Sequence, residues 1–287
     1  MPSTVRETLR ARVRRAARVI ALGAYCVAAP GFAAPPLPTV ASINLCADQH
    51  VLALADAEQI LTVSWLAADP EESLFATEAQ RHTLNYGTAE ELLRFDPDVV
   101  IAGTYTSPFT RTLLQRLGYR VVELAPEVSV ADIEQNVQIV AELLGQPARG
   151  EQLIAQMRAA VRAIEEQRTG RSPAAIVVRP GGFTVGAHSL AHELMILAGT
   201  RNVAAEQGLD RWGSLSMEAL LRSAPDLIVL TRYRRAQPSL ANAVLEHPAL
   251  ERLGTVRRTV TIPSALWACG LPRSLESAVL LQQATAP

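Results

Sequence analysis

The sequence has no apolar run long enough to cross a membrane: its most marked one, Val19 to Ala29, falls short of the roughly 20 residues that a spanning helix needs. It also has no Gly-x-Ser-x-Gly nucleophile elbow or other strong catalytic pattern. The glycines of Arg179-Pro-Gly-Gly-Phe-Thr-Val-Gly186 match neither dinucleotide-binding nor P-loop spacing, so this stretch reads as a turn between two strands. Charge is sparse, at 19% of residues, while 49% are hydrophobic; this is a globular composition and excludes general disorder. Aromatics are few, and only three are Trp. With 287 residues, the chain is too long for one ordinary core and comfortable for two.

The amino terminus is of different material. Arg6, Arg10, Arg12, Arg14, Arg15 and Arg18 precede the Val19 run, and small residues around Gly31, Ala33 and Ala34 follow it. This is the pattern of a cleaved secretory signal over residues 1–33, cut near Ala33, with an amphipathic surface helix as the plain alternative. Export to the periplasm is therefore expected. Losing six Arg and one Glu takes the formal charge five lower, from -1 to about -6, which argues against a nucleic-acid partner. Two cysteines then remain, Cys46 and Cys269. An oxidising compartment permits a disulfide between them, but their spacing leaves two separate buried thiols equally open.

Two stretches repeat each other. Glu90-Glu-Leu-Leu-Arg-Phe-Asp-Pro-Asp98 leads into Val99-Val-Ile101, and Glu218-Ala-Leu-Leu-Arg-Ser-Ala-Pro-Asp226 leads into Leu227-Ile-Val229. Downstream, Gln115-Arg-Leu-Gly118 and Glu251-Arg-Leu-Gly254 each precede a strand-like run. Val40 to Leu45, Ile60 to Ser64, Val99 to Ala102 and Ala174 to Val178 read as strands, with helices at Asp48 to Ala55 and Glu90 to Phe95. Ser129 to Leu144 and Pro147 to about Arg168 read as successive helices without an intervening strand, the second on the order of 30 Å long. The expected fold is α/β. Two lobes (38–145 and 170–287), each a mainly parallel sheet flanked by helices, are joined by one long helix over 146–169.

The candidate binding residues fall in loops after strands, which in parallel sheets face the ligand crevice. Trp65 follows the second strand, Trp212 precedes the Glu218 helix, and Trp267 lies in Ser264 to Arg273; all three are expected outside strands and helix interiors. Tyr105 and Tyr233 occupy matching places after their strands, and Tyr86 can join them. Such a set can bind a large, flat or ring-rich ligand by area burial and stacking. Arg179, Arg232 and Arg273 sit in the same class of loop and can clamp an anionic group. Glu90 and Glu218 favour their helix dipoles, and Thr88 with Glu91 can form a capping box, but dipole chemistry does not explain the matched placement. His188 and His192 are four apart and Cys46 and His50 likewise, a spacing that on a helix would align two metal donors; neither pair has a marked third ligand.

Ser42 to Asp48, the duplicated Glu-x-Leu-Leu-Arg-x-x-Pro-Asp, the long central helix, Trp212 to Glu218 and Trp267 through Arg273 together resemble the helix-linked substrate-binding proteins of ABC importers for vitamin B12, ferric siderophores and haem. The resemblance implies a monomeric periplasmic protein, not an enzyme, that captures such a chelate between two lobes and delivers it to an inner-membrane permease. It implies no cofactor beyond iron or cobalt carried by the ligand. It also assigns Glu90 and Glu218 to docking on permease arginines, and Trp212 to the ligand. Tyr86 stands where the family's cobalamin binder has a Trp. An exported bilobal enzyme and a zinc-type metal-binding protein are the alternatives.

Overall fold

The computed structural model describes residues 36–231, 241–248 and 258–286. The expected signal segment, Arg232, Tyr233 and the second copy of the Arg-Leu-Gly element lie outside the described residues. From Leu37 onward the described residues belong to one compact unit containing two parallel sheets. Among the described residues no helix is long and apolar enough to cross a membrane.

The first sheet comprises β1 (Val40–Ser42), β2 (Ile60–Ser64), β3 (Leu84–Asn85), β4 (Val99–Gly103) and β5 (Val121–Leu124), in the order β3-β2-β1-β4-β5. The second comprises β6 (Ala174–Val178), β8 (Arg201–Asn202), β10 (Leu227–Leu230) and β11 (Arg258–Thr261), in the order β11-β10-β6-β8. Every neighbour pair in both is parallel. A separate antiparallel pair joins β7 (Phe183–Val185) to β9 (Trp212–Ser214). Without the edge strand β3, each sheet runs second, first, third, fourth. The sequence repeat is thus a repeat of topology.

The helices, in chain order, are α1 (Leu45–Leu54), α2 (Ala76–Ala79), α3 (Ala89–Leu92), α4 (Pro108–Arg116), α5 (Val130–Leu143), α6 (Pro147–Glu166), α7 (Leu190–Leu197), α8 (Val203–Glu206), α9 (Met217–Ser223) and α10 (Leu275–Thr285). The expected first strand ends early because Asn44 caps α1, its side chain accepting from the backbone N–H of Cys46 at 3.0 Å and of Ala47 at 3.3 Å. The expected Glu90 helix is a single turn, α3, opened by the Thr88–Glu91 capping box.

Strands buried on both faces explain the apolar runs. Val99 and Ile101 of β4 face a central core while Val100 and Ala102 face an outer cluster; Leu227 and Val229 of β10 face the same central core while Ile228 and Leu230 face another. That central core runs through both lobes and takes in Met157 and Ile164 of α6. α6 packs on α5 of the first lobe and on α7 and α10 of the second. One face of it is therefore packed against the core of both lobes, which opposes large hinge motion.

The repeated Pro-Asp also has a folding role. Asp98 accepts from the backbone N–H and hydroxyl of Thr39 at 2.8 and 2.7 Å, tying the entry of β4 to that of β1. Asp226 accepts from the Ala174 N–H at 2.9 Å, tying β10 to β6 in the same way. Both residues that precede the prolines, Asp96 (φ 46) and Ala224 (φ 42), adopt the left-handed conformation. The Pro Cδ disfavours the right-handed helical state there, so the helical conformation has ended by the residue two before each Asp anchor.

Candidate functional site

A helix that precedes a parallel strand starts at that strand's carboxyl end. Trp65, Tyr86 and Tyr105 therefore follow β2, β3 and β4 along the same edge of the first sheet on which α3 begins with Glu90. Arg179 follows β6 at the equivalent edge of the second sheet. The strand order reverses between β1 and β4 and between β6 and β10, the switch points beside which open α/β sheets bind ligands.

Two adjoining cavities of about 280 Å³ each occupy this edge and share Arg179 and Trp212. One is lined from both lobes: Tyr105, Glu127 and Val128 come from the first, and His188, Arg211 and Trp212 from the second, with Trp267 and Ala268 at its margin. The other extends along Pro180, Phe183 and Thr231. A larger cavity of about 840 Å³ lies at the amino ends of the second sheet, among Arg168, Pro173, Asp226 and Arg258. It is at the wrong end of the strands for the aromatic set, so the smaller adjoining pair is the candidate site.

Tyr105 is 77% exposed, Tyr86 72% and Trp212 69%. Tyr105 and Trp212, left this open in a cavity wall, have area available for a ligand. Trp212 is held 6.3 Å from Phe183, and Trp65 6.3 Å from Tyr86, between ring centroids. Trp65 and Tyr86 form their own pair on the first lobe, outside the lining of the two cavities. Trp212 opens the strand β9 rather than lying in a loop, because β7 pairs with it across a short antiparallel register. Trp267 is 8% exposed and belongs to the central core, so packing accounts for most of its surface. Tyr233, expected opposite Tyr105, is outside the described residues.

Arg179 is half-buried, and burial pulls its guanidinium below the usual range, with the Glu72 charge acting in the other direction. A desolvated cation at a cavity wall favours an incoming anion. Arg273 is differently engaged: its guanidinium donates to Glu276 at 2.8 Å and to the Leu74 carbonyl at 3.3 Å. It therefore ties α10 to the first lobe.

Cys46 and Cys269 are joined in a disulfide, with Cα atoms 5.1 Å apart. Cys46 is thereby removed as a metal donor, which ends its pairing with His50. Beside the disulfide, His50 Nε2 lies 2.9 Å from Glu127 Oε1, both side chains being buried. Asn136 donates to the same oxygen at 2.5 Å and Gly270 N–H to Oε2 at 3.3 Å. Burial pushes the Glu127 carboxyl up, but His50 and Asn136 outweigh it and hold the group below its ordinary value. A side chain at Gly270 would put its Cβ 2.3 Å from Glu127 Cβ, so glycine is what lets the lobes meet here.

His188 and His192 do not share a helix face. His188 precedes α7, which Ser189 caps, and His192 points to Asn202 at 3.3 Å. Among the described residues no three His, Cys, Asp or Glu side chains converge as a metal cage. His188 Nδ1 is instead hydrogen-bonded to Asp210, a contact between loops that the sequence did not mark.

Glu90 and Glu218 are both exposed in the first turns of α3 and α9. Their neighbours differ in employment. Glu91 accepts from the Tyr86 N–H at 2.9 Å and closes the cap, and the Glu218 carboxyl is held low by its own backbone N–H and Ser216. Glu90 makes no such bond among the described residues.

Known proteins extend these observations. A cobalamin-binding protein of Halobacterium salinarum is 24% identical over 199 residues, covering 66% of this chain and 53% of the relative; the chain thus spans about half the length of that curated relative. A periplasmic haem-binding protein of Pseudomonas aeruginosa superposes with TM-score 0.72 at 22% identity, covering 87% of this chain and 92% of the other. That of Vibrio cholerae gives TM-score 0.74 at 18% identity, covering 87% and 99%. These structures share the two-sheet fold. The family model for periplasmic binding proteins matches residues 40–262, most of the chain, and this protein belongs to that family.

Proposed function

We propose that the protein captures a metal chelate, of the tetrapyrrole, corrinoid or ferric siderophore type, in the inter-lobe cleft after export to the periplasm, and delivers it to the permease of an ABC importer. The observation that carries this reading is the cavity lined from both lobes by Tyr105 and Trp212, with Arg179 and Arg211 beside them. Exposed rings supply stacking area for a large rigid ligand, and the guanidiniums suit acidic substituents such as carboxylates. The family membership and the cobalamin- and haem-binding relatives support the same class. The α6 strut, packed on both lobes, and the disulfide favour a cleft that closes little on its ligand, and no catalytic step is part of the reading.

Glu90 and Glu218 take the docking role in this proposal: one exposed carboxylate on each lobe, at the edge where the cleft opens, fits a partner that touches both lobes at once. Titrating the mature protein with haemin, aquocobalamin and ferrioxamine B while following Trp emission tests the binding reading. Saturable quenching by at least one is expected, and silence towards all three contradicts it.

A further inference from the structure

We infer that Thr184 and Thr231 are specificity-determining residues of a receptor for one free carboxylate arm of the bound chelate, in the cavity along Arg179 and Phe183. The inference rests on the binding reading above and narrows it to chelates that carry such an arm. Thr184 lies in β7, paired with Gly213 of β9. Thr231 follows β10, and its backbone N–H donates to the Val178 carbonyl at 3.1 Å, which ties it to the residue before Arg179 at the switch point of the second sheet. The Arg179 N–H donates to the Phe183 carbonyl at 2.8 Å and closes the turn between them. Arg179, Thr184 and Thr231 line one cavity of about 280 Å³ together with Pro180, Phe183 and Trp212, and among the described residues no carboxylate lines it. Thr184 and Thr231 are 2% and 1% exposed, and the hydroxyl oxygen of each is buried with no hydrogen-bond partner.

A buried hydroxyl without a partner costs free energy that a methyl group in its place would not. Two of them in one cavity, beside a half-buried guanidinium, call for an acceptor that the ligand brings. A threonine hydroxyl has one proton to give, and rotation about χ1 and the C–O bond lets its direction follow the acceptor. A carboxylate only accepts, through two oxygens, so it can take both hydroxyl protons and the Arg179 fork, and its charge offsets the desolvated cation. A primary amide arm fits less well. It has one accepting oxygen, no charge, and an NH2 group from which a guanidinium cannot accept. Phe183 and Trp212, their ring centroids 6.3 Å apart, supply apolar wall for the stem of the arm.

The test compares wild type, Thr184→Val and Thr231→Val in titrations with haemin, haemin dimethyl ester, aquocobalamin and ferrioxamine B, alongside thermal melts of the ligand-free mature protein. Valine keeps the shape of threonine and removes only the hydroxyl. Wild type should bind haemin roughly 10–100-fold more tightly than the ester, and each variant should lose about 10-fold for haemin and little for the ester. The ligand-free variants should melt at or above the wild-type Tm, because an unpartnered hydroxyl has been removed; loss of a structural hydrogen bond would make them melt lower. Equal affinity for haemin and its ester, unchanged haemin affinity in both variants, or a lowered Tm with parallel loss of both ligands overturns the inference while leaving chelate binding intact. Binding of aquocobalamin or ferrioxamine B without haemin overturns it in the same way, since neither carries a free carboxylate. Failure of wild type to bind any of the four overturns the binding reading and the inference together.

Discussion

The two lobes share a framework and differ in what they display. Both sheets have the same strand order, the same Asp anchor at the entry of the third strand and the same left-handed residue before Pro. Around the cleft the likeness ends. The first lobe adds the edge strand β3, which Tyr86 follows, and contributes the phenol of Tyr105 and the buried carboxylate of Glu127. The second adds the β7–β9 pair, which carries Phe183 and Trp212, and contributes Arg179, Arg211 and His188. What repeats is what folding needs, and what differs lies around the candidate site. Glu90 and Glu218 are the exception: they repeat although folding asks little of them.

That exception gives the largest expected effect. Reversing both Glu90 and Glu218 to Arg should abolish permease-dependent uptake of the bound chelate while leaving affinity in solution unchanged; uptake that survives would return both residues to helix-dipole duty. Next comes the shared framework. Ile101→Ala in β4 and Ile228→Ala in β10 each empty a fully buried site and should each cost about 2–5 kcal/mol in denaturant unfolding. Because one core joins the lobes, a single transition is expected, and two separated transitions would break that part of the comparison.

A smaller effect separates two buried carboxyls of the first lobe by pH. Asp48 of α1 is wholly buried against Ser64, accepting from its backbone N–H at 3.0 Å and from its hydroxyl. Burial raises its carboxyl from 3.8 to about 6. Between the two values the folded state holds a proton that the unfolded chain has released, so Asp48's own contribution to stability is full below about pH 4 and is lost, by roughly 3 kcal/mol, as pH rises through 6. Asp48→Asn should flatten that slope in thermal melts between pH 4 and 7. Glu127 works in the opposite sense: its lowered carboxyl adds stability above its unfolded value, lost as pH falls.

The sequence made the framework legible because buried parallel strands are continuous apolar runs and Pro-Asp is a local stop signal; β2 and β6 lie within the residues expected. β3 and β9 escaped notice because strands of two and three residues carry no period, and Trp-Gly-Ser is not a β-rich run. The site was half legible. Loops after strands pointed to Tyr105, Arg179 and Trp212, but a loop residue's environment depends on distant contacts. Trp267 is packed into the core and Arg273 is engaged by Glu276 and Leu74 for that reason. The same reason hid the Asp210 partner of His188, which is 22 residues away. The disulfide, left open by a separation of 223 residues, was decided by the way Gly270 and Glu127 bring the lobes together.

The proposed function requires one ligand to be held between both lobes. It is tested most directly by titrating two single-tryptophan proteins, one retaining only Trp65 and the other only Trp212, with the chelate that the wild-type protein binds. Saturable quenching of both at the same midpoint is expected, since one ligand in the cleft lies within energy-transfer reach of each lobe. A response from Trp212 alone, or two different midpoints, would contradict it and place the ligand on a single lobe.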